Sequence, residues 1–159
     1  MLFYNQSNKI LQLMSGITRT INGSGFCYLG LLAGEPTRDG SSLNEISTAD
    51  YPSYERILLN AYDAQSLVNV WNAPANGVLT NGKAFSGDSQ CLEEDGWPEA
   101  THWCVFDAKT GGNPMVADVF RDPEGEIDPT TGLYPQTTLK VEYKKVPVFR
   151  KGALQLTLK

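Results

Sequence analysis

The chain is poor in the groups that do chemistry. It has one histidine and three cysteines in 159 residues. No apolar run is long enough to cross a bilayer, and no basic cluster is longer than Lys144-Lys145. With 13 Lys plus Arg against 18 Asp plus Glu, the net charge is −5. Nucleic acid needs a basic face that displaces counterions, and an anionic membrane surface needs the same, so neither partner is expected. Cys27, Cys91 and Cys104 are odd in number and widely spaced, which fits neither a disulfide framework nor a zinc site. Buried thiols are expected instead. No glycine cluster lies between a strand and a lysine-bearing helix, so no phosphate loop is read, and no internal repeat is found. The first residues, Met1 to Ser7, lack the charged-then-apolar order of a signal peptide. The expectation is a protein made and used without Sec export.

What is present is the composition of a single folded unit. Hydrophobic residues make up 41% and charged residues 19%, which is globular rather than disordered. A chain of this length buries roughly 70% of its unfolded surface, enough for one core.

Ile10, Leu13, Met14, Ile17 and Ile21 fall at helical spacing, with Ser7 or Asn5 to cap the start and Gly23 to end it. This predicts one N-terminal helix with a single apolar stripe, which must be covered by the rest of the domain or by a neighbouring subunit. From Phe26 onward, short β-branched, aromatic and leucine runs alternate with Gly, Pro, Asn and Asp, the texture of a sandwich or barrel. The predicted strands are 26–32, 54–60, 66–71, 77–85, 101–107, 115–120, 137–143 and 153–159. In the last, Leu154, Leu156 and Leu158 alternate with Gln155, Thr157 and Lys159, one set inward and one outward. Turn signals lie at Asp39-Gly40, Asn76-Gly77, Asn81-Gly82 and Gly111-Gly112-Asn113. Two stretches, 34–52 and 120–135, exceed the usual loop length and read as functional surface or as packing against a partner.

Candidate sites are few. His102 shares a strand face with Cys104, but a catalytic pair needs a third orienting group, and no serine or cysteine lies in a nucleophile elbow. His102 therefore reads as structural. The carboxylates Asp122, Glu124, Glu126 and Asp128 surround Gly125, as a Ca²⁺ loop might require, but the EF-hand spacing is missing, so a solvated acidic loop is expected. Glu93, Glu94, Asp95 and Glu99 lie near Trp97 and Trp103, and paired carboxylates could serve glycoside hydrolysis, yet any acidic domain holds such sets. Trp103 is expected in the core. Trp97, between Gly96 and Pro98, is expected half-exposed, where it could anchor a partner or stack on a sugar.

Three stretches resemble a family of small tailed-bacteriophage virion proteins commonly labelled tail-fibre or minor structural proteins. They are Tyr28-Leu29-Gly30-Leu31-Leu32 with Gly34, Pro36 and Tyr54-Glu55-Arg56; Trp97 to Ala108 followed by Gly111-Gly112-Asn113; and Gly152 to Leu158, similar to the family's closing strand. The resemblance implies a mainly β fold, a jelly-roll-like β-sandwich that assembles on the virion, with no enzymatic activity and no cofactor. Departures are the acidic stretch 92–96 and the length of 120–135.

The combined expectation is an N-terminal helix and linker over 1–25 and a β-sandwich domain over 26–159. The protein would be a tail- or fibre-associated virion component, assembled in the host cytoplasm and forming a homo-oligomer, possibly a trimer, that docks on other virion proteins. The alternatives are a capsid decoration protein and a carbohydrate-binding adhesin module that contacts a host-surface glycan. Interaction residues are expected at Ile10, Leu13, Met14, Ile17, Trp97, Asp122, Glu124 and Glu126, with no catalytic, cofactor or metal residue.

Overall fold

Three runs rich in apolar side chains organise the molecule. Tyr28–Leu32 forms β1, His102–Phe106 forms β7 and Pro114–Arg121 forms β8. The computed structural model describes residues 27–59, 62–63, 66–67 and 78–157. Within them the protein is mainly β, every strand pairing is antiparallel, and no helix occurs. The main sheet has five strands in the order β2-β1-β7-β8-β9, where β2 is Ile57–Leu58 and β9 is Gln136–Thr137. Three two-stranded pairs complete the β structure. β3 (Tyr62–Asp63) pairs with β4 (Ser66–Leu67), β10 (Val148–Phe149) with β6 (Phe85–Ser86), and β11 (Gln155–Thr157) with β5 (Val78–Thr80).

The register of β1 on β7 sets Leu29 opposite Val105 and Leu31 opposite Trp103, and β8 adds Val116 opposite Val105. These side chains form one face, and with Phe120 they join the large core. Phe149, Leu154, Leu156, Tyr54, Trp97 and Val141 complete that core from the other side. Phe149 stacks on Phe85 at 4.7 Å and on Phe120 at 6.1 Å, so the β6–β10 pair seats on this face of the sheet. The opposite face holds a smaller cluster of Leu32, Cys104, Phe106 and Ala117, with Leu43 packed on it. Both faces of the central strands are covered, which is why Leu29 to Leu32 and Trp103 to Phe106 read as unbroken apolar runs rather than alternating ones.

Gly30 lies on the second face between Phe106 and Glu45. A Cβ there would sit 2.6 Å from the Phe106 ring and 2.9 Å from Glu45 Oε1, so only glycine lets the ring lie across the strand. A register shift between Val105 and Phe106 precedes the β7–β8 hairpin. Asp107 closes that hairpin, its carboxylate accepting from Asn113 N at 2.6 Å and Asn113 Nδ2 at 2.8 Å.

Some sequence expectations change. The stretch 77–85 is two strands, not one, because the chain turns at Asn81-Gly82 before β6. Of 54–60 only Ile57–Leu58 is strand, and of 137–143 only the first residue continues β9. Gln155, expected outward, is 4% exposed, because its Oε1 accepts from Tyr134 N at 2.9 Å. The predicted N-terminal helix, with Ile10, Leu13, Met14 and Ile17, lies outside the described residues, as does Trp71.

Candidate functional site

The first long stretch, 34–52, is tied, with the residues on either side of it, to itself and to β1. Ala33 N donates to Asn44 O, Thr37 N to Ser42 O and Ile46 N to Leu31 O, all within 3.0 Å. At its tip Asp39 accepts from Ser41 N, which holds the Asp39 carboxylate at about 2. Its root carries a clamp. Arg56 donates Nε and Nη2 to the two oxygens of Glu45, each at 2.7 Å, and Nη1 to Ala108 O at 2.9 Å and Gly111 O at 2.6 Å. The guanidinium lies 3.4 Å over the Phe106 ring, a bidentate and stacked arrangement that lysine cannot reproduce. Tyr54 Oη donates to Glu45 at 3.1 Å and accepts from Leu31 N at 2.9 Å, and burial raises its pKa. Above this clamp is an open cleft of about 530 Å³ lined by Glu45, Ser47, Thr48, Glu55, Lys109 and Thr110 among others. Lys109 and Glu55 pair across it at 2.8 Å. The charged groups of the cleft are matched to one another.

Trp97 overturns the expectation of half-exposure. It is 2% exposed, edge-on to Tyr54 at 5.3 Å, and its Nε1 donates to Glu93 Oε2 and Ser53 Oγ at 3.0 Å each. The Glu93 carboxylate also takes Ser53 N at 3.0 Å and the Ser53 hydroxyl. Desolvation pushes the Glu93 pKa up, but these donors outweigh it and hold the group at about 2. Glu93 is thus a structural acceptor that seats an indole, and Trp97 offers no ring face to a sugar. Of the other carboxylates in the set, Glu99 accepts from Thr138 Oγ1, while Glu94 and Asp95 stand in solvent.

The second long stretch is also built of self-closed turns. Asp122 Oδ1 accepts from Glu124 N at 3.0 Å, and Asp122 N donates to Pro135 O at 2.9 Å. Gly125 packs flat against Pro135, where a Cβ would collide. Glu124 pairs with Arg150, and Asp128 accepts from Thr130 N at 2.8 Å and Thr131 Oγ1 at 3.0 Å, which lowers its pKa. Asp122, Glu124 and Asp128 thus serve separate turns, Glu126 is exposed, and among the described residues no group of acids converges on a point.

His102 is half-buried, its Nδ1 2.8 Å from Thr101 Oγ1, and burial lowers its pKa against the pull of Glu35 and Asp118. Cys104 is buried on the smaller cluster, its thiol pKa raised by desolvation, and Cys27 is pushed up to about 12 by burial and by Asp107. Thiols this basic are not nucleophiles at neutral pH.

A family model described as podophage GP4 fiber I protein gp80 matches residues 4–127. The chain belongs to this fibre family. No curated protein matches it. The fibre protein is therefore a bacteriophage structural component by family, as the resemblance implied. The matched segment contains β1, β7, β8 and the Glu45–Arg56 clamp, but it ends within the second long loop. The closing strand that the sequence likened to the family lies outside the match.

Two features of the fibre protein escape sequence reading. The Glu45–Arg56 pair spans eleven positions that no helical or strand period links, although Tyr54-Glu55-Arg56 itself stands out. Asn81 looks like a turn residue, yet it is fully buried, and all its polar groups are bonded. Its Nδ2 donates to Lys83 O at 3.0 Å and Arg150 O at 2.8 Å, Oδ1 accepts from Leu154 N at 2.9 Å, and its backbone pairs with Leu154 O and Gly152 N. The available signal is a polar residue set between strand-forming runs.

Proposed function

We propose that the chain is a non-enzymatic fibre-associated part of the bacteriophage particle, assembled in the host cytoplasm, that works by associating with copies of itself and docking on other virion proteins. The observation that carries this reading is the state of its two long loops. Both stand at the surface, and both are closed by their own hydrogen bonds, so they are preformed for contact at little further entropy cost. The large core between the main sheet and the smaller pairs supports a sandwich of the jelly-roll kind. Among the described residues, the shifted Glu93 carboxylate and Cys104 thiol are accounted for by structural bonds and by burial rather than by a reactive arrangement. The fibre family favours a tail position over capsid decoration.

Light scattering on the purified chain across a wide dilution range tests self-association: an oligomer is expected, and a monomer at tens of micromolar would overturn it. Charge reversal at Glu126, which is exposed, tests docking. Incorporation into particles should fall while the isolated domain keeps its melting temperature; unchanged incorporation removes the second loop from the interface.

A further inference from the structure

Charge is divided along this chain. Residues 1–127 carry 7 basic and 16 acidic side chains, and residues 128–159 carry 6 and 2. The fold lays a piece of each beside the other where the β6–β10 pair runs on past its last ladder residues. Gly87 N donates to Pro147 O and Cys91 N to Lys145 O at 2.9 Å, and Lys144 N returns to Cys91 O at 2.8 Å. Gln90 Nε2 adds a bond to Lys144 O at 2.8 Å, and Trp97 N joins Val141 O at 2.9 Å. The segments 90–97 and 141–147 are therefore joined at two places, 90–91 with 144–145 and 97 with 141, with a turn of each segment between them.

Three kinds of exposed side chain stand on these two backbones. Leu92 is 63% exposed and Tyr143 41%, and the Lys144 ammonium lies 4.8 Å over the Tyr143 ring. Glu94 and Asp95 rise from one turn, Lys144 and Lys145 from the other, and Lys144 is held in place by a positive φ of 61°. Glu142, also exposed, is the one acid on the basic side. Among the described residues none of these charges forms an ion pair, although charges of both signs stand on adjoining segments.

A surface that carries an acidic turn and a basic turn on adjoining segments, with exposed apolar side chains on both, is its own electrostatic complement after a half-turn. A purely acidic or purely basic partner would satisfy one turn and repel the other. We propose that this patch is a self-association surface. A second copy of the chain lies across it on a twofold axis, with Leu92 and Tyr143 at the centre and the Lys144-Lys145 turn of each copy against the Glu94-Asp95 turn of the other. The proposal rests on the self-association reading above and assigns it a place. The apolar centre is small, so the contact should be weak, concentration-dependent and sensitive to salt.

Sedimentation of the full chain tests it, at low salt and at about 1 M NaCl, where screening shrinks to about 3 Å. The proteins are the natural chain, the double variant Lys144→Glu/Lys145→Glu, the double variant Glu94→Lys/Asp95→Lys, and a 1:1 mixture of the two variants. The substituted positions are all exposed, and thermal melts confirm that each variant folds. Each variant alone should weaken association about tenfold or more, as high salt should, and the mixture should recover it as a heterodimer. If the natural chain stays monomeric at every concentration, both the surface and the self-association reading fall. If it associates and the variants associate equally well, or the mixture recovers nothing, only this surface falls.

Discussion

Asn81 shows how much a single side chain holds. It fastens the turn 150–154 to the end of β5 through four hydrogen bonds, adds a fifth to Lys83 O, and has no solvent exposure. Asn81→Ala strands Leu154 N and Arg150 O away from water, which costs about 3 kcal/mol and should lower Tm by roughly 10 °C in a calorimetric scan. Glu93 sets a pH response. Its folded pKa of about 2 lies below the ordinary 4.5, so the stability it gives is full above about 4.5 and fades as pH falls toward 2. Acid titration followed by tryptophan fluorescence should show Glu93→Gln losing less stability than the natural chain across that window. Equal losses would mean that the Ser53–Glu93–Trp97 bonds contribute nothing to folding.

Among the elements, β1, β7 and β8 were legible because burial on both faces gives each an apolar run that needs no periodicity to be seen. The pairs built from two or three residues were not. β6 and β10 are placed by Phe85 and Phe149 meeting Phe120, a contact between side chains far apart in sequence. Trp97 was misread for a related reason, since flanking Gly and Pro describe its backbone, whereas its burial is decided by Glu93 and Ser53. The segment after residue 127 supplies Val141, Phe149, Leu154 and Leu156 to the large core. A chain ending at residue 127 should therefore lose fixed packing, with weak near-ultraviolet dichroism and strong binding of an apolar dye. A sharp cooperative melt from that truncated chain would contradict the single core.

At the scale of the molecule, the fibre family was readable from the order of its motifs. The proposed self-association patch was not, because its two segments, 90–97 and 141–147, meet only through backbone and Gln90 bonds between positions far apart in sequence. The same wiring bears on synthesis. Tyr28 pairs with Phe106, and Thr80 with Gln155, so the ladders join residues some 75 positions apart. Such distant pairing makes folding slow, in the range of milliseconds to seconds, and among the described residues β5 pairs only with β11, residues 155–157. A nascent chain therefore cannot close its large core before Leu154 and Leu156 have emerged.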